Sequence, residues 1–493
     1  MPQPRHSHFG DRPFGSKGRP VLRIGRCRRY DRLRLMENSV RMRWWQAALL
    51  AGGLAAGGFI AGVIAERTDV EPATGLRAVL SSMSATVSVL AHAAGLTPPA
   101  SIGDRPVTER AGATVRDAAA MAPGLTLLAI GPDIALKRPD GSDAYRWRVP
   151  LKDIFTVPAL LDPADVQTSG LVLEPDGSVL ALEQYERDFP AFHWDGTVMN
   201  TALVKLDQRS RLVWSYTGNP HHDLRVAADG TIYVLVAREG ATPPRPDLGL
   251  PAHFRDEGVA VLDAGGHERR TLWLADAVAH SAYANLFGAL DPGWAGCLPD
   301  RAYCWNLFHA NSIQIVPADV AARVGFAAPG DLLVNLRELD AVLVLDPNSG
   351  DVRWAMRGVW RHAHDAELTS QGTLMLFDNR GNIGAGEASR LLEVDPLTGA
   401  APWSYSGGSA HPFSSSVHGT KQILPNGNLL ITETMGGRVL EVTRDGRPVW
   451  DYVVPALPGT RFAPEIWGGR RIDPAEYPFL AGCAGQVCGV AAR

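Results

Sequence analysis

The feature that most constrains this chain is a unit that recurs along it. An apolar run ends in an acid, a turn follows, and a tryptophan stands seven or eight residues after the acid. Instances are IALKRPDGSDAYRW (Asp140 to Trp147), ALVKLDQRSRLVW (Asp207 to Trp214), VLVLDPNSGDVRW (Asp346 to Trp354) and LLEVDPLTGAAPW (Asp395 to Trp403). Looser copies run from Asp263 to Trp273 and end at Trp450. From Leu125 onward the runs are short and alternating, punctuated by D-G, N-G and P-N, as many short strands require. Repetition of one such unit means stacking of identical supersecondary pieces. Six units predict an all-β chain folded as a six-bladed β-propeller, four antiparallel strands to a blade, with the Trp packed between neighbouring units. A β-sandwich followed by other domains is the alternative.

Histidine recurs on the same framework. His222 opens HHDLRVAADG, His309 opens HANSIQIVP, His364 opens HDAELTSQG and His418 opens HGTKQILPNG. The first and third align without a gap to Gly230 and Gly372, the fourth reaches Gly427 one residue later, and the unit of His309 has a stretched turn. In a propeller the first strand of each blade lines the central channel. A residue type placed once per blade at its start therefore falls on one ring at the channel mouth.

Charge is split along the chain. Residues 1–43 carry twelve Lys/Arg against three Asp/Glu, and the rest carries 36 against 49, within a net charge of −4. A basic arm suggests nucleic acid or a membrane. The next segment favours the membrane, because Gln46 to Ala65 is 20 residues without a charge, the length that crosses a bilayer core, entered at Trp44 and Trp45. It reads as an uncleaved anchor with the bulk exported, or else as a signal peptide cut after Val63-Ile64-Ala65. Gly53/Gly57 and Gly58/Gly62 have the spacing that pairs such helices into a homodimer. The organisation expected is thus a cytoplasmic arm (1–43, with Met36 an alternative start), a transmembrane anchor (44–65), a helical stalk and linker (66–120), the propeller (121–460) and a tail (461–493). The expected location is the inner membrane of a bacterial cell, with the catalytic domain periplasmic or extracellular. Cys297/Cys304 and Cys483/Cys488 are close pairs that read as disulfides in an oxidising compartment. Paired metal ligands are the alternative, though neither pair is C-x-x-C. Two insertions, 241–258 and 279–308, interrupt the repeat.

Four imidazoles on one ring suit nucleophilic transfer chemistry. Imidazole accepts an electrophilic group covalently, and its neighbours move protons near neutral pH. An anionic group in transit needs a cation on its oxygens, for which Arg337, inside the apolar run DLLVNLRELDAVLVLD, is the candidate. The same ring could instead hold Zn or Cu, bond blades together, or line a non-catalytic site for an anionic ligand or partner protein.

Residues 125–455 resemble the bacterial PAPS-independent arylsulfotransferases (aryl-sulfate sulfotransferases). The segments that carry the likeness are FHANSIQIVP, GDLLVNLRELDAVLVLDPNSGDVRW, HDAELTSQGTLMLFDN, VHGTKQILPNGNLLITE and GRVLEVTRDGRPVWDY. The resemblance implies an exported six-bladed propeller with a short-loop disulfide. It implies transfer of a sulfuryl group from an aryl sulfate to a phenolic acceptor through a sulfohistidine, with no metal or nucleotide cofactor and no nucleic-acid partner. By motif His364 resembles the histidine that takes the group, His222 and His309 its helpers, and Arg337 the sulfate-binding arginine. His418 belongs to the ring by position alone. No Walker-type phosphate loop is present.

Overall fold

The computed structural model describes residues 102–107, 110–155, 166–185, 201–290, 303–304, 306–381, 389–408, 411–457, 461–483 and 486–489. The expected arm, membrane span and helical part of the stalk lie outside these residues, as does Cys297. Among the described residues no helix is long and apolar enough to cross a membrane.

The strands form six antiparallel blades, as the repeat predicts. Blade 2 is Val166–Leu173, Val179–Tyr185, Thr201–Leu206 and Leu212–Tyr216. Blade 3 is Pro220–Val226, Ile232–Ala241, His253–Leu262 and Glu268–Trp273. Blade 4 is Ala310–Ile315, Leu332–Leu336, Ala341–Leu345 and Val352–Arg357. Blade 5 is His364–Leu368, Leu374–Asp378, Arg390–Val394 and Trp403–Tyr405. Blade 6 is Thr420–Ile423, Leu429–Glu433, Arg438–Val442 and Pro448–Val453.

The sequence explains which strand takes which place. The two middle strands of a blade are covered on both faces by neighbouring blades, so they are continuous apolar runs. LLVNL and AVLVL of blade 4 are buried at every position. The outer strand faces water on one side, and Leu212–Tyr216 alternates between intermediate and exposed residues. The repeating acid caps its own turn. Asp207 Oδ1 accepts from the backbone N–H groups of Arg209 and Arg211 at 2.8 and 2.9 Å, and Asp263 Oδ1 does the same for Gly265 and His267. The repeating Trp packs on the turn of the next blade. Trp147 Nε1 donates to Gly177 O at 3.1 Å, and Trp450 Nε1 to Pro139 O at 2.8 Å. At Gly266 (φ 81°) a Cβ would stand 2.6 Å from the Trp214 ring, so the turn admits only glycine there.

Around the channel the inner strands diverge, and side chains satisfy their open edges. Asp223 accepts from Ile313 N at 2.8 Å, Ser312 from Ala366 N at 3.1 Å, Asp365 from Lys421 N at 2.6 Å and Gln422 from Arg471 N at 2.7 Å. Each bond joins one blade to the next.

Blade 1 corrects the expected boundaries. Its three outer strands are Leu125–Ile130, Asp133–Lys137 and Asp143–Arg148, but its innermost strand is Trp467–Ile472, from the segment read as a tail. The propeller therefore runs past residue 460. Gly468 (φ 87°) and Gly469 make the approach feasible, since a Cβ on Gly469 would lie 1.8 Å from Thr432 Oγ1. The end of the expected linker is likewise strand. Ile102–Pro106 pairs with Phe462–Pro464, and Gly112–Val115 adds a fifth, outermost strand to blade 6. Segments from both ends of the described chain thus tie the ring shut, which covers open sheet edges. The Cys483–Cys488 disulfide is present, with Cα atoms 5.7 Å apart, and Cys488–Gly489 pairs with the outer strand of blade 1. Cys304 is disulfide-bonded and sits on a short strand beside His253–Leu262.

Candidate active site

In blades 3–6 the start of the inner strand is shaped by an uncommon backbone. His222, His309 and His418 are left-handed, with φ of 58°, 50° and 57°, and in blade 5 Asp365 (φ 50°) takes that role beside His364. Such conformations cost about 1 kcal/mol or more in a residue other than glycine and persist only where the surroundings impose them. In blades 3, 4 and 5 the inner pairing is irregular at this point, as at a β-bulge that re-aims a side chain.

The four expected histidines meet. Ring centroids are 4.8 Å apart for His309 and His222, 6.2 Å for His222 and His418, and 5.4 Å for His418 and His364. Blade 1 contributes Trp467 at the same strand position, 4.6 Å from His418. His222, His364, His418 and Trp467 line a cavity of about 90 Å³, with Arg225 and Lys421 further along the inner strands. Those two cations are already paired. Arg225 bonds Asp223, and Lys421 donates to Asp365 O at 2.8 Å and to Glu367 at 3.1 Å.

Burial controls protonation. It pushes the His418 imidazole down to about 3, and those of His222, His309 and His364 well below the ordinary 6.5. The Arg337 charge adds to the effect at His309, His364 and His418. All four are neutral, so each ring has one N–H and one lone pair.

Two asparagines decide which nitrogen is which. Asn379 Nδ2 donates to Ser415 O at 2.9 Å and His418 O at 2.7 Å, so its Oδ1 must face His364 Nδ1, 2.7 Å away. The proton of His364 is thereby on Nδ1, and Nε2 carries the lone pair. Nε2 is buried with no hydrogen-bond partner among the described residues. Asn306 Nδ2 donates to Glu338 Oε1 at 2.9 Å, and its Oδ1 accepts from His309 Nδ1 at 2.8 Å. His309 Nε2 is therefore an acceptor, and His222 Nε2, 3.1 Å away, donates to it. His222 Nδ1 in turn accepts from His221 Nδ1 at 2.8 Å.

Arg337 is buried, but not in the strand where its apolar surroundings placed it. It opens the single 3-10 turn Arg337–Leu339 that follows Leu332–Leu336. Backbone groups explain the turn, with Arg337 N and Glu338 N donating to His309 O and Phe308 O. Its guanidinium contacts Glu338. Burial raises the Glu338 carboxyl and Arg337 opposes it. Glu338 also lies 3.6 Å from His362 Nε2.

Sequence reasoning missed His221, Asn306, Asn379 and Trp467. Asn379 had a signal, the D-N that ends the His364 unit, and His221 had the H-H pair. Asn306 comes from an insertion and Trp467 from the far end of the described chain. Among the described residues no group of three or more His, Cys, Asp or Glu is arranged to hold a metal ion.

No curated protein matches the chain. Among solved structures, a protein of unknown function from Bacteroides caccae is 12% identical, over 71% of this chain and 100% of that one, with a TM-score of 0.43. Virginiamycin B lyase from Staphylococcus aureus is 12% identical over 60% and 72%, with a TM-score of 0.32. Hydrazine synthase of Kuenenia stuttgartiensis is 13% identical over 64% and 71%, with a TM-score of 0.35. The blade count rests on the strand pairing, not on these likenesses. Residues 191–454 match the sequence model of the family described as Arylsulfotransferase (ASST). That span is more than half of the chain and holds the whole histidine ring, so the chain belongs to the arylsulfotransferase family.

Proposed function

We propose that the protein moves a sulfuryl group from an aryl sulfate to a phenolic acceptor, without PAPS, through a sulfohistidine at His364. The observation that carries this reading is the bare Nε2 of His364. Its tautomer is held by Asn379, it is buried, and its ring lines the cavity. A cavity of about 90 Å³ is smaller than the roughly 150 Å³ that holds a benzene, so it suits the sulfuryl end of the donor, with the aryl group toward the mouth.

In the first half-reaction the Nε2 lone pair attacks sulfur, the N–S bond forms and the S–O bond to the aryl group breaks. The electron pair leaves on the phenolate oxygen. His222 Nε2 carries the proton that it donates to His309 Nε2, and the phenolate oxygen takes that proton. Arg337 and an N–H of His418 offset the charge on the sulfuryl oxygens. The modified ring keeps its Nδ1 proton on Asn379. In the second half the acceptor phenol gives its proton back and takes the group. The apolar run 46–65 and the disulfide support a location outside the cytoplasm at the membrane.

The experiment is incubation with phenyl sulfate and no nucleotide, followed by peptide mass spectrometry. The expected result is one added sulfuryl group on the peptide with His364. A stable adduct elsewhere, or turnover in His364→Ala, overturns the assignment.

A further inference from the structure

The hydrogen-bonded chain of histidines does not stop at the ring. From His309 it passes through His222 to His221, which does not itself line the cavity and is fully buried. Each bond fixes the next tautomer. His309 holds its proton on Nδ1 for Asn306, His222 on Nε2 for His309, and His221 on Nδ1 for His222. His221 Nε2 is left with a lone pair and no hydrogen-bond partner among the described residues. Glu257 Oε1 lies 3.9 Å from it. Glu257 lies on the third strand of blade 3 and is buried, its other oxygen accepting from Ala310 N at 2.7 Å. Burial pushes its carboxyl up to about 7, against the opposing charge of Arg255 and with a further upward push from Asp256 and Glu338.

We infer that His221 and Glu257 form a proton store behind the ring, joined through His222 to the phenolic oxygen. The inference rests on the sulfuryl-transfer reading above and adds where its proton comes from. When the phenolate departs, His222 Nε2 gives it a proton. His222 Nδ1 takes the proton of His221 Nδ1, and His221 Nε2 takes the proton of Glu257. The phenol leaves neutral, Glu257 is a carboxylate, and one proton has moved one place along each link. The acceptor phenol reverses every transfer, so the store is refilled once per cycle and no external acid is consumed. A store sealed from water suits a site that must exclude water as a competing acceptor. The 3.9 Å gap at Glu257 closes by a side-chain adjustment of about 1 Å, as such bonds tighten in the reacting complex.

Glu257→Gln tests this, because the amide keeps an acceptor for Ala310 N and a donor for His221 but cannot release a proton. The rate of phenol release in a single turnover is measured for two donors, phenyl sulfate and 4-nitrophenyl sulfate. Phenolate, a strong base like the tyrosine side chain near pKa 10, needs the proton, whereas nitrophenolate leaves without it. The expected result is a loss of about 10²-fold with phenyl sulfate and less than about threefold with 4-nitrophenyl sulfate. Equal slowing of the two donors, or none, overturns the relay alone. Failure of the unaltered protein to release either phenol overturns the sulfuryl-transfer reading and the relay with it. His221→Gln, which keeps a donor toward His222, gives a second reading should Glu257→Gln not fold. It is expected to show the same donor-selective loss, and equal slowing of the donors there also overturns the relay.

Discussion

Blades 3–6 and blades 1–2 share one architecture and differ in what they carry at the channel mouth. Each of blades 3–6 starts its inner strand at a histidine, and three of those histidines are in the left-handed conformation. Blade 1 puts Trp467 there. Blade 2 instead buries Gln167, Thr168 and Glu183, with Thr168 Oγ1 donating to Glu183 at 2.9 Å. Burial raises Glu183 to about 8, so it is a neutral acid at pH 7. One part of the ring gathers the imidazoles, and the other closes the circle and walls the cavity. A repeat supplies equivalent positions, and chemistry arises only where they are filled differently.

The largest expected effect falls on the histidine side. His364→Ala should lower sulfuryl uptake by about 10⁴-fold or more, as loss of a nucleophile does, with the thermal midpoint little changed. Asn379→Leu should cost about 10²-fold, because the ring loses the partner that keeps its proton on Nδ1. It should also destabilise the fold by about 1–3 kcal/mol, since two buried carbonyls lose their donor. Both are read by single-turnover phenol release and denaturant unfolding.

Trp467→Ala should reverse that pattern, lowering stability by about 3–5 kcal/mol while the His364 peptide still gains a sulfuryl group from excess donor. If Trp467→Ala instead abolishes the adduct with stability intact, the division between the two sides fails. A turn far from both, Asp207→Ala, should cost only about 0.5–1.5 kcal/mol by unfolding and nothing in uptake.

Acidity gives a sharper test. An imidazolium is no nucleophile, and His364 takes its second proton only well below 6.5. Sulfuryl uptake should therefore persist as the pH falls through 6.5 to about 5, where an ordinary histidine would have lost it. Stability behaves differently. For His221 and His418, at about 3 in the fold against 6.5 unfolded, the contribution is intact above 6.5 and lost as the pH falls toward 3. For Glu257 and Glu183, at about 7 and 8, the contribution is full below the ordinary glutamate value and lost as the pH rises through 7 to 8. The thermal midpoint should accordingly fall on both sides of a mildly acidic maximum.

The six units, the strand-turn rhythm and the four ring histidines were legible because they recur at fixed places within short segments. A periodic signal needs no knowledge of the neighbours. Asn379 was half visible, being part of the same unit as His364. Trp467 was hidden because its meaning depends on pairing with Leu125–Ile130, more than 300 residues earlier. The same separation concealed the strand Gly112–Val115, which completes blade 6 from the other end of the described chain. Glu257 carried no usable signal, since a glutamate in a strand is ordinarily solvated and only burial between blades changes its acidity.

By itself, then, the sequence determined the blade, its number and the histidine at four of the channel positions, because local alternation and turn chemistry fix a strand hairpin within a dozen residues. Only the tertiary structure decided which strand closes the ring and which nitrogen of His364 is bare. Those depend on distances between segments far apart in the chain, and on the loss of water from groups that the sequence shows only as polar.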